Sequence, residues 1–316
     1  MEISLKGKIL KGVGGLYSVR VLSKDSPLFC STVQCRARGS FRHSGSTPLP
    51  GDNVVLVRDG EQAESNVSGF VIDKITDRKN SLIRPPLANL DYLFVSMAAA
   101  SPSPILPTVD KLISICEYNK IEPVIVITKR ELDEKRASEI FDIYSSCGFE
   151  CFSLSAVENT GVDALDAFIK EKLPTRTAAF AGASGIGKST LLNRLFPTLE
   201  LSTSEISRKI ERGRHTTREV TLFGLSDSPN CGYIADTPGF SMLDFKRFDF
   251  FAKDDLVGTM REFAPYIGKC RYTKCSHTKE QGCAIIDAVK SGNIPVSRHE
   301  SYVELYDVLK NKNKWD

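Results

Sequence analysis

The hydrophobic pattern changes period along the chain. Over residues 1–75 the apolar positions come in short runs that read as strands. Gly7–Gly12 and Leu16–Leu22 flank a Gly14-Gly15 turn. Val33–Gly39, Asn53–Val57 and Gly69–Ile75 follow, with Pro50-Gly51-Asp52 as a turn signal. Alternation with a period of two gives a strand one buried face. Five short strands in 75 residues predict a small β-barrel of the OB-fold type. Asp77–Pro86 is polar, ends on proline and reads as a linker. From Tyr92 the period changes. Continuous apolar runs at Tyr92–Met97, Pro123–Ile127, Glu150–Leu154 and Ala178–Ala181 alternate with helical spacing at Val109–Tyr118, Glu134–Cys147 and Val162–Leu173. That alternation predicts an α/β region built on a parallel sheet with both faces covered. Thr190–Phe196 reads as a further helix, and Ser202–Arg218 shows no hydrophobic period. Glu219–Leu225 and Gly232–Ala235 read as strands joined by a turn over Ser226–Asn230. Near the end, Tyr302, Leu305, Tyr306 and Leu309 fall at i, i+3, i+4 and i+7, so an amphipathic helix is expected to pack back on the segment before it.

The pattern predicts a multidomain chain: an N-terminal β-barrel (1–75), a central α/β domain (76–244) and a mainly helical C-terminal domain (245–316). At 316 residues the chain is too long for one typical domain. Its 41% hydrophobic and 26% charged content suits a globular protein, and no apolar run reaches the length of a membrane span. The first residues carry no signal-peptide core, so a cytoplasmic location without membrane contact is expected. Six of the nine cysteines are scattered and read as reduced thiols. Charge is unevenly placed. Residues 1–84 hold 13 Lys/Arg against 8 Asp/Glu, on a chain whose net charge is only +3. Arg36, Arg38, Phe41, Arg42 and His43 follow one another without an acid. Basic residues interleaved with an aromatic suit a nucleic-acid-binding loop; a solvated basic face would show the same excess.

The chemistry centres on Gly182-Ala183-Ser184-Gly185-Ile186-Gly187-Lys188-Ser189, which matches G-x-x-x-x-G-K-[ST] at every position. An apolar strand leads in and a helix beginning near Thr190 leads out. Backbone N–H groups of such a loop curl around phosphate oxygens at the positive end of a helix. Lys188 is expected to reach the β/γ-phosphates and Ser189 to hold Mg²⁺. Asp236-Thr237-Pro238-Gly239 ends a strand 47 residues after Ser189. There Asp236 would hold Mg²⁺ through water, and the Gly239 N–H would meet the γ-phosphate. Between them, Gly213-Arg214-His215-Thr216-Thr217 offers Thr217 as a hydroxyl ligand of Mg²⁺ when γ-phosphate is present, the arrangement of an ordering switch. Ahead of the phosphate loop, Thr128-Lys129-Arg130-Glu131 ends one strand and Ser155-Ala156 the next. They resemble the [NT]-K-x-D and S-A elements that read guanine. Base reader, Ser-Ala, phosphate loop and switches, in that order, predict a circularly permuted GTPase, and the base-reading elements argue against an ATPase. The position after Gly239, where many GTPases place a water-orienting Gln, is Phe240. His215 is the nearest substitute.

Cys270-x4-Cys275-x-His277-x5-Cys283 supplies three thiols and one imidazole within 14 residues, a structural zinc set. Lys269, Arg271, Lys274 and Lys279 surround it.

These motifs together resemble the ribosome small-subunit-dependent GTPase A family, over essentially the whole chain. The marks are Gly182–Ser189, Gly213–Thr217, Asp236–Gly239 and the Cys270/Cys275/His277/Cys283 set. The resemblance implies a GTP hydrolase that binds the 30S ribosomal subunit and acts late in its maturation. The barrel and zinc domains would contact 16S rRNA, and His215 would be the catalytic histidine. It implies GTP and GDP as ligands, Mg²⁺ with GTP, one Zn²⁺ per chain and a monomer. The competing expectation is an rRNA-docking factor that uses nucleotide only as a switch, with negligible turnover. One position departs from the family: Glu131 stands where Asp is usual, and Asp133, two residues on, is a second candidate for the guanine reader.

Overall fold

A computed structural model describes residues 4–42, 47–58, 69–83, 85–197, 220–226, 228, 230–236 and 252–311. The chain divides into two compact units. One comprises Met1–Tyr92, Asp166–Phe180 and Leu191–Phe240, and the other Leu93–Leu165, Ala181–Thr190 and Ser241–Asp316.

The first unit contains the predicted barrel. Its strands are β1 (Ser4–Val13), β2 (Leu16–Val21), β3 (Thr32–Ala37), β4 (Asn53–Arg58) and β5 (Phe70–Ile75). They pair in the order β1-β2-β3-β5-β4, and β4 returns to β1, so the sheet closes. Closure leaves no edge inside the ring. The inward positions Leu5, Ile9, Val19, Val21, Val33, Cys35, Leu56 and Ile72 form its core. The fully buried Asp52 is held at both carboxylate oxygens by Arg78, each contact 2.7 Å.

The stretch expected to be a linker is partly structured. β6 (Ser81–Ile83) and β7 (Pro86–Ala88) pair as a hairpin, because Leu82 and Leu87 have somewhere to bury. β11 (Thr177–Ala181) pairs parallel with β13 (Tyr233–Asp236), and β12 (Thr221–Gly224) lies antiparallel to β13. The sheet is therefore mixed rather than purely parallel; the short Ser226–Asn230 turn leaves no room for a crossover helix.

The second unit carries β8 (Tyr92–Ala98), buried at every position, β9 (Glu122–Thr128) and β10 (Glu150–Ser153), in the order β10-β9-β8 with β10 parallel to β9. Helices α1 (Leu106–Tyr118) and α2 (Glu134–Ser146) lie between these strands in sequence. α3 (Val162–Lys172) and α4 (Lys188–Leu195) flank β11. The C-terminal segment adds α5 (Ala284–Lys290) and α6 (Val296–Lys310).

A charged knot fastens α6 to α1. Arg298 is wholly buried. It donates to Asp110 Oδ1 of α1 at 2.6 Å and to Glu262 Oε1 at 2.7 Å, and its guanidinium lies over the Phe149 ring. The Tyr144 hydroxyl of α2 donates to the same Asp110 oxygen at 2.8 Å. Burial works against the guanidinium, but the two carboxylates more than offset it and hold the arginine firmly charged. Nearby, Arg261 bridges Glu117 and Glu122 at 2.6 and 2.9 Å. Removing one partner of a buried pair strands the other charge. Arg298→Ala should therefore destabilise the chain by about 3–5 kcal/mol. Urea unfolding monitored by circular dichroism measures it; a loss under about 1 kcal/mol would mean that water reaches and solvates the abandoned carboxylates.

Candidate nucleotide and metal sites

The phosphate loop leaves β11 at Gly182, turns through Gly185 and Gly187, and enters α4 at Lys188. Gly185 and Gly187 have φ of +80° and +89°, a region that suits glycine. Gly182 is required for a different reason. A Cβ there would stand 2.5 Å from the Ser96 carbonyl oxygen of β8 and 2.3 Å from the Ile186 side chain. Ile186 is itself buried and anchors the loop, while Ser184, Gly185, Ser189 and Thr190 are exposed and Ala183, Gly187 and Lys188 half-buried.

The base-reading candidates meet this loop in space. Thr128, at the buried end of β9, donates its hydroxyl to the Ile186 carbonyl at 2.5 Å and also lies 3.1 Å from that of Met97. Lys129 follows in the left-handed region, φ +55°, and its ammonium donates to the Ser101 carbonyl. Its Cε lies 3.9 Å from where a Cβ on Gly187 would stand, so the lysine stem runs alongside the phosphate loop. The Ser155–Thr160 turn is pinned next to them. The Arg130 N–H donates to the Leu154 carbonyl at 3.2 Å, and the Arg130 guanidinium to Thr160 Oγ1 at 3.3 Å. Ser155 Oγ accepts the Glu158 N–H at 3.1 Å. Thr128–Glu131, Ser155–Ala156 and Gly182–Lys188 thus form one constellation.

The two candidate carboxylates differ in employment. Asp133 caps α2, accepting the Arg136 N–H at 2.9 Å. Glu131 Oε2 is buried and, among the described residues, has no hydrogen-bond partner. A buried carboxylate oxygen without a donor is costly and invites one from a ligand. Asp236 is the last residue of β13. His215, Thr217, Gly239 and Phe240 lie outside the described residues.

Sequence reasoning passed over two features here. The Ser101-Pro102 loop after β8 accepts the Lys129 ammonium and lies 4.0 Å from where a Cβ on Gly185 would stand. It carries no motif; its only signal is proline spacing behind a buried strand. The Arg298 knot was also invisible, since a lone arginine on a helix ordinarily points to solvent.

The metal candidates converge. One ligand atom from each of Cys270, Cys275, His277 and Cys283 falls within 4.8 Å of all the others. Cys270 Sγ and Cys283 Sγ are 3.8 Å apart, and His277 Nδ1 lies 3.5 and 3.4 Å from them. Zinc–sulfur bonds of about 2.3 Å and zinc–nitrogen bonds of about 2.0–2.1 Å at tetrahedral angles put sulfurs about 3.8 Å apart and sulfur about 3.6 Å from nitrogen. The cluster fits a zinc ion. Sulfurs at that separation form no disulfide, and all nine cysteines are free. Burial lowers the His277 pKa, which keeps the imidazole neutral and able to ligate.

Outside the ligand set, α6 holds the loop as the sequence led one to expect. Tyr302 Oη donates to the Ser276 carbonyl at 2.9 Å, and His299 Nε2 lies 2.8 Å from the His277 carbonyl. Burial acts to raise the Glu280 pKa, but donors from the Ser276 side chain and from backbone N–H groups, including those of Ser276 and Lys279, pull it to about 2. Arg271 and Tyr272, between the first two ligands, are exposed and stack on one another.

Comparison with known proteins adds to this geometry. A family model described as RsgA GTPase matches residues 75–246, and one described as RsgA N-terminal domain matches residues 6–64. A Ruminiclostridium cellulolyticum protein named small ribosomal subunit biogenesis GTPase RsgA is 38% identical over 305 residues, spanning 96% of this chain and 93% of that one. The same-named protein of Caldanaerobacter subterraneus is 36% identical over 313 residues, spanning 98% and 97%. Among solved structures, YjeQ from Thermotoga maritima is similar at a TM-score of 0.79 and 28% identity, spanning 98% of this chain and 100% of that one. YloQ, titled a circularly permuted GTPase, is similar at 0.75 and 30% identity, spanning 98% and 96%.

The close approach at Gly182 yields a direct expectation. Gly182→Ala forces its methyl into a backbone carbonyl, so the loop must shift. Nucleotide affinity should fall at least tenfold, about 1.4 kcal/mol or more, with the circular dichroism spectrum unchanged. Equilibrium binding of a fluorescent GDP analogue measures it.

Proposed function

The chain belongs to the RsgA GTPase family and is a GTP hydrolase, and we propose that it acts on the small (30S) ribosomal subunit, late in the subunit's maturation, with turnover raised by the subunit. The observation that carries this reading is the joining of Thr128–Glu131 to the phosphate loop through the Thr128–Ile186 contact. That contact supports a single nucleotide whose base meets Thr128–Glu131 while its phosphates meet the loop, as GTP requires. The relatives named small ribosomal subunit biogenesis GTPase supply the ribosomal context.

The residues take these roles. Backbone N–H groups of Gly182–Ser189 receive the phosphates and Lys188 neutralises their charge, with Thr190 in the first turn of α4 behind them. Ser189 and Thr217 would hold Mg²⁺ directly and Asp236 would hold it through water; the ion would offset the charge of the phosphates. The Gly239 N–H meets the γ-phosphate. Glu131 accepts from the guanine edge, the Lys129 stem lines the base and the Ser155-Ala156 backbone closes the pocket. Phe240 cannot orient water, so His215 does. Because His215 sits in a polar, glycine-bearing stretch of sequence with no hydrophobic period, the subunit completes the site. Cys270, Cys275, His277 and Cys283 hold one structural Zn²⁺. The domains run 1–75, 76–244 and 245–316. The barrel and the basic residues around the metal knuckle bind 16S rRNA, and the protein works as a cytoplasmic monomer. Among the described residues no helix is long and apolar enough to cross a membrane.

Three experiments test this reading. GTP and ATP turnover, with and without purified 30S subunits, separates a stimulated hydrolase from a docking factor with negligible turnover. Stimulation by the subunit should reach orders of magnitude for GTP alone. His215→Ala should remove most of it, a positioned group being worth about 10²–10⁴-fold, and leave GDP affinity within about twofold. Fast turnover by the free chain, unaffected by 30S, contradicts the proposal.

Base specificity is read by competition binding. GDP should outbind ADP, Glu131→Ala should erase that preference, and Asp133→Ala should retain it while costing about 1 kcal/mol of stability as a lost helix cap. Metal analysis should find about one zinc per chain. A strong chelator should unfold the loop of residues 270–283 and spare nucleotide binding; a loop that stays as resistant to proteolysis after metal removal as before would refute the assignment.

A further inference from the structure

Lys8 breaks a rule of the barrel it belongs to. It sits on β1, is only 6% exposed, and has no carboxylate within ion-pair distance among the described residues. Its ammonium reaches the Gly51 carbonyl at 3.3 Å and Thr177 Oγ1 at 3.5 Å, both long contacts, and lies 5.4 Å from the centre of the Tyr233 ring. A buried cation held this loosely is expensive, and a stability-optimised fold would place methionine there.

Lys8 lines a cleft of about 610 Å³, a size typical of small-molecule sites. The charged groups on its wall are Lys8, Lys24, Lys79, Arg176, Asp77 and Asp91. Asp91 is already spent. One of its oxygens takes the Lys79 ammonium and the other accepts the Thr177 N–H at 2.8 Å. Asp77 is at the exposed margin. Four cations therefore face two acids, an excess that suits a dianion. None of these residues belongs to the nucleotide constellation or the metal cluster.

We propose that this cleft binds a phosphate monoester, with the Lys8 ammonium as its buried anchor and Lys24 at its rim. The monoester can be carried by a free sugar phosphate or by the 5′ end of an RNA strand. Bound phosphate supplies the countercharge that the fold omits.

Protonation gives the test a signature. Burial lowers the Lys8 pKa to about 8; Asp91 and Asp52 act to raise it, as does Cys231, and Lys79 acts to lower it. At about pH 9 the free side chain is mostly neutral, and an arriving dianion must draw a proton onto it. The experiment is isothermal titration calorimetry of the full chain with its nucleotide site saturated by GDP, at about pH 9, in two buffers of different ionisation heat. The probes are ribose 5-phosphate and a short oligoribonucleotide with either a 5′-phosphate or a 5′-hydroxyl. A monoester probe should bind at one site per chain with net proton uptake. Lys8→Met should weaken it at least tenfold and abolish the uptake, leaving GDP affinity unchanged. Lys24→Ala should weaken it severalfold and keep the uptake. Tighter binding of ribose 5-phosphate identifies a free metabolite as the source; a preference for the 5′-phosphorylated over the 5′-hydroxyl strand identifies an RNA end. If neither monoester binds at millimolar concentration, or binding survives Lys8→Met, or no proton is taken up, the cleft is not this site and Lys8 is a structural cation only.

Discussion

The nucleotide site depends on one short contact, the Thr128 hydroxyl on the Ile186 carbonyl. A phosphate loop by itself accepts any nucleotide, since backbone N–H groups see only phosphate. Specificity for a base needs a second set of groups at a fixed distance from that loop. In this chain the two sets are far apart in sequence, and no covalent segment sets their spacing. The hydroxyl does so directly, at the buried end of β9, where water does not compete. Gly182 makes the same demand from the other side: the start of the phosphate loop comes so close to the Ser96 carbonyl that no side chain fits between them.

A similar logic joins the metal segment to the helices of the second unit. A loop of four candidate ligands has little core of its own; α6 supplies part of what is missing, and a zinc ion would supply the rest. α6 uses its first two turns for both: His299 and Tyr302 hold the metal loop, and Arg298 makes the knot against Asp110 and Glu262. The ionic knot is directional where an apolar contact is not. It fixes how α6 lies on α1, at the cost of burying three charges.

Much of this was legible in the residues. Period-two runs gave the barrel, buried runs alternating with helical spacing gave the α/β region, and motif spacing gave the phosphate loop and the ligand set. Each is a local pattern, and local patterns survive without coordinates. What the sequence could not show was non-local. The hairpin over residues 81–88 looked like a linker because its two leucines reveal their purpose only once there is a surface to cover. The antiparallel β12 was legible, since Glu219–Leu225 and Gly232–Ala235 read as strands joined by the short Ser226–Asn230 turn; what stayed hidden was that this hairpin joins the otherwise parallel sheet. Glu131 and Asp133 were indistinguishable until one was found capping α2 and the other holding an orphaned oxygen. Lys8 read as one basic residue among many; its isolation is a property of three-dimensional neighbours.

The central claim is that the end of β9 reads guanine while the phosphate loop holds its phosphates. A crystal structure of the full chain with GDP tests it most directly, by the distance from the Glu131 carboxylate to the guanine N1 and N2 atoms. Both should lie within hydrogen-bond range, about 2.7–3.2 Å, with Asp133 still capping α2. A base turned away from Glu131, or one contacted by Asp133 in its place, would contradict the account.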